Sequence, residues 1–118
     1  MNNLVIYKVV SRDAWRDAEA VGYFSGASID IADGYIHFSS ASQLVETVKR
    51  HFAGQANLLI IGVDTGKLGD ALKWESSRGG DLFPHLYGVL PLSATTQAWD
   101  LPLGGDGTHQ FPSEAFLA

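Results

Sequence analysis

The stretch ANLLIIGV, residues 56–63, is a continuous apolar run of strand length. A strand that is apolar on both sides belongs in the middle of a sheet, where both of its faces are covered. A second run, LVIYKVV at residues 4–10, is rich in β-branched and aromatic residues and also predicts a buried strand. We therefore expect a sheet built around residues 56–63.

Two helices are predicted in the first half of the chain. Ser11 is a suitable N-cap, apolar residues follow it at helical spacing, and Gly22 is placed to close that helix in a left-handed conformation. Ser40 and Gln43 have the spacing of a capping box ahead of an apolar stripe, and Gly54 is placed to end the second helix. Residues 23–28 are expected to form a loop.

The second half of the chain is predicted to be mostly strand. The expected strands are LKWES and residues 86–90 and 95–101, followed by an irregular, Gly-rich tail over residues 102–118 that Phe111 and Phe116 pin to the body. Because strands outnumber helices and the two types do not alternate, the fold class is predicted to be α+β with largely antiparallel pairing. At 118 residues the chain is expected to be a single domain, with its core over about residues 4–101.

Composition excludes several classes of function. There is no cysteine, so disulfides, thiolate metal sites and cysteine nucleophiles are excluded. The formal charge of −5, without a long basic run, argues against an extended nucleic-acid surface. The first residues, MNNLVIYKVV, lack the pattern of a signal peptide and have too short an apolar run for a membrane span, so neither is predicted. We expect a cytoplasmic protein that binds a small molecule and has neither nucleic acid nor membrane as partner.

The polar residues that could carry chemistry are scattered along the predicted strands. No motif for dinucleotide binding, a P-loop, a zincin or an α/β-hydrolase is present, and no metal site is predicted because no short ligand spacing occurs. Strand alternation in FPHLYG places His85 and Tyr87 on one face, and alternation in YIHF places Tyr35 and His37 on one face. The two polar rings of His85 and Tyr87 on a shared face can line a cleft.

A purely structural interpretation of each residue stays open at this point. His37 can be a core histidine that bonds a backbone carbonyl, and Tyr87 can be a packing aromatic whose hydroxyl is satisfied. Glu75 can form a surface ion pair with Lys73 or Arg78. Tyr35 is expected to belong to the core or the rim.

Five segments in this order carry a resemblance to a known family. IYKVVSRDAW, DGYIHFSSASQL, LLIIGVD, LKWESSRGG and FPHLYGVL resemble the bacterial family called domain of unknown function 952, from Val5 to about Leu101. The resemblance implies an ADP-ribosylation-like fold, in which a split, mostly antiparallel β-sheet is combined with a few helices. Enzymes with that fold include NAD-using ADP-ribosyltransferases and RNA 2'-phosphotransferases.

The resemblance also implies where a site would lie. In such enzymes a first-strand His or Arg holds the nicotinamide ribose and a later-strand Glu assists at the ribose; Lys8 stands where many members of the family carry His. By this similarity the catalytic residues are expected to be Glu75, His37 and His85. The ligand-binding residues are expected to be Tyr7, Lys8, Ser39, Tyr87 and Arg78.

The chemistry that these residues would perform is cleavage at an N-glycosidic bond, with NAD as substrate and no certain cofactor. Such a cleavage creates an oxocarbenium-like centre, which the Glu75 carboxylate would stabilise while it bonds a ribose hydroxyl. His37 would orient a ribose hydroxyl and His85 would carry a proton. Two alternatives are a non-catalytic small-molecule-binding domain and a structural or interaction protein in which these motifs seal the core.

Overall fold

The computed structural model describes residues 4–112, apart from the side chain of Arg78. Within this range the helices are α1 (Arg12–Val21), α2 (Ser28–Asp33) and α3 (Ala41–His51). The strands are β1 (Val5–Ser11), β2 (Tyr23–Phe24), β3 (Ile36–His37), β4 (Leu58–Asp64), β5 (Leu72–Ser76), β6 (Leu82–Leu86), β7 (Leu90–Pro91) and β8 (Thr95–Leu101). All of the strand pairs among these residues are antiparallel, which confirms the α+β prediction.

The strands form two three-stranded sheets and a short two-stranded one. One sheet has the order β1-β4-β8, with the apolar strand β4 at its centre as its sequence predicts. The second has the order β3-β6-β5, and β2 pairs with β7. A bridge joins the two larger sheets, because the backbone N–H groups of Tyr7 and Ser39 each donate to the other residue's carbonyl, at 2.8 and 2.9 Å.

Both faces of the β1-β4-β8 sheet are covered by apolar side chains. Successive residues of β4, Ile60 and Ile61, point to opposite sides. The side that faces α1 and the second sheet contains Ile6, Val10, Trp15, Phe24, Ile36 and Leu86. The side that faces α3 contains Tyr7, Val9, Leu44, Val48, Ile60 and Leu101.

The two predicted helices form where their caps indicate. The Ser11 hydroxyl accepts a hydrogen bond from the Ala14 N–H at 3.1 Å, and Gly22 closes α1 in the left-handed region. Ser40 and Gln43 form the predicted capping box of α3. That helix ends at His51, with Phe52 as its C-cap, and not at Gly54, which is left-handed two residues after the cap. None of the helices in residues 4–112 has the length and apolar character needed to cross a membrane.

Three details of the predicted elements are wrong or untested. The segment expected to be a loop contains β2, and the unpredicted helix α2 follows it. The strand expected at residues 86–90 lies at Leu82–Leu86 instead. In the tail, Phe111 packs against the core beneath α3 as expected, whereas Phe116 lies outside the described residues.

Gly62 allows β8 to pack closely against the central strand. A Cβ atom at this position would lie 2.7 Å from the Thr96 hydroxyl oxygen and 3.2 Å from the Trp99 ring. The hydroxyl can rotate away, but the indole cannot move without disturbing its neighbours. We expect Gly62→Ala to lower the free energy of unfolding by about 1–3 kcal/mol, the usual cost of overpacking, as measured by urea denaturation.

Gly105→Ala is the matched control for this prediction, because a Cβ atom at Gly105 would meet nothing within 4 Å and its φ is not in the left-handed region. Equal stability of the two alanine variants would show that the contact at Gly62 is not tight.

Candidate functional site

The second sheet places its polar side chains on the face that points away from the core. His37 of β3 pairs with His85 of β6, and His85 pairs with Lys73 of β5. Glu75 of β5 pairs with Phe83 of β6, so its carboxylate lies diagonally across from His85. The sheet register therefore gathers Glu75, His37 and His85, which are far apart along the chain.

Glu75 is the centre of a hydrogen-bonded group. Its Oε1 lies 2.8 Å from Nδ1 of His85 and accepts a hydrogen bond of 2.7 Å from the Tyr87 hydroxyl. These bonds, that of His85 first, hold the pKa of the Glu75 carboxyl below its usual value, so the group is ionised at neutral pH. The same contact with Glu75 raises the pKa of Tyr87 to about 12.

Glu75 and His85 differ in their accessibility. His85 is buried, while the Glu75 side chain is 41% exposed. The buried His85 therefore holds the Glu75 carboxylate from within the protein, while the carboxylate itself is accessible to solvent.

Tyr35 lies over the two histidines. Its ring centroid is 4.2 Å from that of His85, 4.7 Å from that of His37 and 5.2 Å from that of Tyr87. Burial, with the charges of Asp33 and Glu75, raises the pKa of Tyr35, so its phenol stays neutral at physiological pH. The four rings form an aromatic cluster at the edge of the Glu75 carboxylate.

His37 lies between two carboxylates of α2. Its Nδ1 is 2.6 Å from Asp30 Oδ1, and its Nε2 is 2.9 Å from Asp33 Oδ2. Ionised carboxylates only accept hydrogen bonds, so both ring nitrogens have to carry a hydrogen for both bonds to form. Asp30 and Asp33 are one turn apart on α2, and Gly34 then turns the chain into β3 in a left-handed conformation.

Asp30 is buried, and every group that contacts its carboxylate is a donor. Oδ1 accepts from the His37 N–H and from the Lys8 ammonium, both at 3.0 Å, in addition to His37 Nδ1. Oδ2 accepts from the Ala27 N–H at 2.7 Å and lies 2.9 Å from the Lys8 nitrogen. Burial raises the pKa of Asp30, but the bonds from His37 and the charge of Lys8 outweigh it, and the net pKa lies well below the usual range.

Lys8 is also buried, and its ammonium is held by Asp30. Burial lowers the pKa of Lys8, and the charge of Asp30 acts against that effect. The side chain reaches the polar face only through Asp30. Lys8, predicted to bind ligand, is thus placed behind His37.

Two other predicted ligand residues are not brought to the Glu75 group, and the side chain of a third is not described. Tyr7 points to the opposite side of β1 and packs with Trp99 at a ring distance of 6.1 Å. Ser39 is buried, and its hydroxyl bonds that of Thr47 in α3 at 2.9 Å. Arg78 begins a short 3₁₀ segment after β5, and its side chain lies outside the described part of the chain.

Sequence reasoning missed Asp30, Asp33 and Tyr35 as members of the cluster. One signal indicated that an acidic partner exists: a lysine in the middle of a buried strand needs one. Nothing in the sequence indicates which acid that partner is, because Asp30 lies 22 residues further along the chain.

A cleft of about 530 Å³ lies between α3 and the segment that leads into β6. Phe83 lines this cleft and is the strand partner of Glu75. Its other lining residues include Ser42, Thr47, Glu46, Arg50 and Asp81. The cleft is therefore polar, with charges of both signs, and it adjoins the strand pair that carries Glu75.

The comparisons with known proteins give a family and solved relatives. The family model described as "Protein of unknown function (DUF952)" matches residues 9–98. The crystal structure of protein CC0527 from Caulobacter crescentus is 49% identical, covers 90% of this chain and 93% of its own, and has a TM-score of 0.86. The solution structure of CC0527 is 49% identical over 90% and 91% of the two chains, with a TM-score of 0.80. No curated protein matches.

Proposed function

This chain belongs to the DUF952 family of proteins of unknown function, and we propose that it is an enzyme that acts at an N-glycosidic bond, with NAD or a related nucleotide as substrate. The reaction class is that of ADP-ribosyl transfer or NAD glycohydrolysis. We include in this proposal an ADP-ribosylation-like fold, a cytoplasmic location and a small-molecule ligand, with neither nucleic acid nor membrane as partner.

The observation that supports the proposal most is the charge, exposure and fixed orientation of the Glu75 carboxylate. Its carboxylate is ionised, half-exposed and held in one orientation by His85 and Tyr87. Both of these bonds fall on Oε1, and within the described residues no hydrogen bond to Oε2 is found. An oriented carboxylate with one unused oxygen can bond a ribose hydroxyl and stabilise the positive charge that develops as the N-glycosidic bond breaks.

The residues around Glu75 take complementary roles in this proposal. His37 orients a ribose hydroxyl, and Tyr87 donates to Glu75 and borders the ligand. His85 holds the carboxylate in place, a role that agrees better with its burial than direct proton transfer does. Arg78 remains a proposed ligand contact, whereas Tyr7, Lys8 and Ser39 would act from behind the site.

The adjoining cleft supports a ligand larger than a single ribose. Its volume of about 530 Å³ lies within the usual range for small-molecule sites. Arg50 provides a cation there for a diphosphate, although it also faces Glu46 at 3.8 Å. A ligand whose ribose lies at Glu75 would pass Phe83 to enter this cleft.

A second candidate is a non-catalytic domain that binds a small metabolite. The observation that favours it is the pairing of Lys8 with Asp30, because a first-strand residue that would contact the ribose in an enzyme is buried in an ion pair here. Tyr35, packed over His85, also covers part of the polar face.

Titration with NAD, followed through the fluorescence of the three tryptophans, tests the proposal. Trp74 is exposed on β5 but points to the opposite face of the strand from Glu75, so calorimetric titration is used beside its emission to measure binding directly. We expect saturable binding below about 1 mM, within the range of ordinary substrate constants, and release of free nicotinamide. Binding without nicotinamide release would favour the second candidate, and no binding at about 1 mM would reject the enzyme proposal.

A further inference from the structure

The buried pair of Lys8 and Asp30 lies behind the polar face and takes no direct part in the chemistry proposed above. A buried ion pair is expensive to desolvate and is weak evidence for stability. Among the described residues, the part-exposed side chain that bonds this pair is that of His37, whose Nδ1 lies 2.6 Å from Asp30 Oδ1. The effect of the pair on the site therefore has to pass through His37.

We propose that Lys8 and Asp30 are positioning residues that keep the proton of His37 on Nδ1, so that Nε2 is the atom offered to a ligand. We propose further that Asp33 is the side chain which a ligand acceptor displaces from Nε2. The Nε2 position suits a hydroxyl, phosphate or amide oxygen. The ligand part of this inference rests on the proposed function, whereas the position of the proton does not.

The contacts of Asp30 leave a single arrangement for the His37 ring. The carboxylate bonds both the backbone N–H and the ring of His37, which fixes the position and the rotation of that side chain. Lys8 keeps the carboxylate ionised, and an ionised carboxylate cannot donate to Nδ1. The same logic orients histidines that ligate metals or act as general bases, where a carboxylate bonded to one ring nitrogen sets the role of the other.

Asp33 is more exposed than Asp30, as expected for a partner that a ligand can displace. Its side chain is 41% exposed and that of His37 is 31% exposed, whereas Asp30 is fully buried. Among the described residues, the other titratable rings in contact with that of His37 are Tyr35, at a centroid distance of 4.7 Å, and His85, at 5.4 Å. Neither of these is a negatively charged competitor for Nε2, so Asp33 is the group that a ligand has to replace.

The position of the proton can be measured directly by nitrogen-15 NMR of the histidine rings, with His37→Gln used to assign the His37 signals among those of the four histidines. We expect a His37 ring that carries a single proton to carry it on Nδ1. Asp33→Ala should leave the proton on Nδ1. A neutral ring that carries its proton on Nε2 would overturn the inference, whether or not NAD binds.

The displacement is tested by NAD affinity. We expect Asp33→Ala to bind NAD about tenfold more tightly than the parent, the equivalent of one competing hydrogen bond to a charged group. Asp17→Ala, on α1, removes the same charge from an exposed position and should change the affinity little. Equal gains in the two variants would refute the displacement by Asp33. If neither variant nor the parent binds NAD, the proposed function is rejected, and the proton position alone decides the positioning role.

Discussion

Asp30→Asn is expected to destabilise the protein by about 3–5 kcal/mol, the cost of removing one partner from a buried ion pair. Lys8 would be left with a buried charge and no carboxylate. The amide cannot compensate, because both oxygens of Asp30 accept from donors: Oδ1 from the His37 N–H and Oδ2 from the Ala27 N–H. Either orientation of the asparagine places its NH₂ group against a donor. Urea denaturation at neutral pH measures the loss.

The double variant Lys8→Met/Asp30→Leu is the control for this prediction. It removes both charges together, and apolar replacement of a buried pair is often neutral. The N–H groups of Ala27 and His37 still lose their acceptor, so some destabilisation remains. We expect the double variant to be more stable than Asp30→Asn by at least about 1 kcal/mol. If it is less stable than the single variant, the cost does not come from the unpaired charge of Lys8.

The lowered pKa of Asp30 gives this prediction a pH dependence. An acid whose pKa is lower in the folded than in the unfolded state contributes stability above its unfolded pKa, which is about 4. That contribution is lost as the pH falls through the folded-state pKa. The difference in stability between the parent and Asp30→Asn should therefore shrink as the solution is made more acidic than about pH 4.

The elements that the sequence predicted correctly depend on local interactions. The N-cap hydroxyl of Ser11 and the capping box of Ser40 and Gln43 act within one helical turn. The central position of β4 follows from its uniform apolar character, since such a strand has to be covered on both faces. These signals do not depend on where the rest of the chain lies.

Helix α2 depends on distant residues, and the sequence therefore did not reveal it. Its residues Ile29 and Ile31 are 59% and 70% exposed, so its apolar residues do not form a buried stripe. The helix is held instead by Asp30, through Lys8 of β1 and His37 of β3. A six-residue helix is too short to be stable alone, and its tertiary contacts are not visible in its own sequence.

The position of β6 was misjudged because proline is unusual in a central strand. Pro84 is opposite Trp74 of β5 in a non-hydrogen-bonded pair, which lies between two hydrogen-bonded pairs of the ladder. The missing N–H of Pro84 therefore costs no hydrogen bond to β5. On the other side Pro84 accepts from the Phe38 N–H, one residue after β3 has ended. The strand therefore loses one hydrogen bond at the end of a short partner, and it tolerates the proline.

Part of the grouping of side chains predicted from the sequence is present in the structure. Strand alternation placed His85 and Tyr87 on one face, because the side-chain direction in a strand repeats every two residues, and both contact Glu75. Alternation could not show which polar side chains of other elements would reach that face. Tyr35 and Asp33 reach it because the turn at Gly34 folds α2 back against β3.

Glu75→Gln is expected to lower the rate of nicotinamide release from NAD by about 10²- to 10³-fold, the usual effect of removing one group that stabilises transition-state charge. The substitution is close to isosteric. Both bonds to Glu75 fall on Oε1, so a glutamine oxygen in that position can still accept from His85 and from the Tyr87 hydroxyl. The fold and the orientation of the side chain are therefore preserved, and the negative charge is lost.

Three measurements separate the loss of charge from a loss of structure. NAD affinity, followed by tryptophan fluorescence, should change little in Glu75→Gln, because the carboxylate acts mainly on the charge that develops during reaction. The pKa of Tyr87, about 12 in the parent, should fall towards the ordinary tyrosine value of about 10, since Glu75 raises it. Tyr87→Phe keeps the carboxylate and loses one of its two hydrogen bonds, so its rate should lie between those of the parent and Glu75→Gln. A Glu75→Gln variant that releases nicotinamide as fast as the parent, with the pKa of Tyr87 lowered as expected, would remove Glu75 from the mechanism.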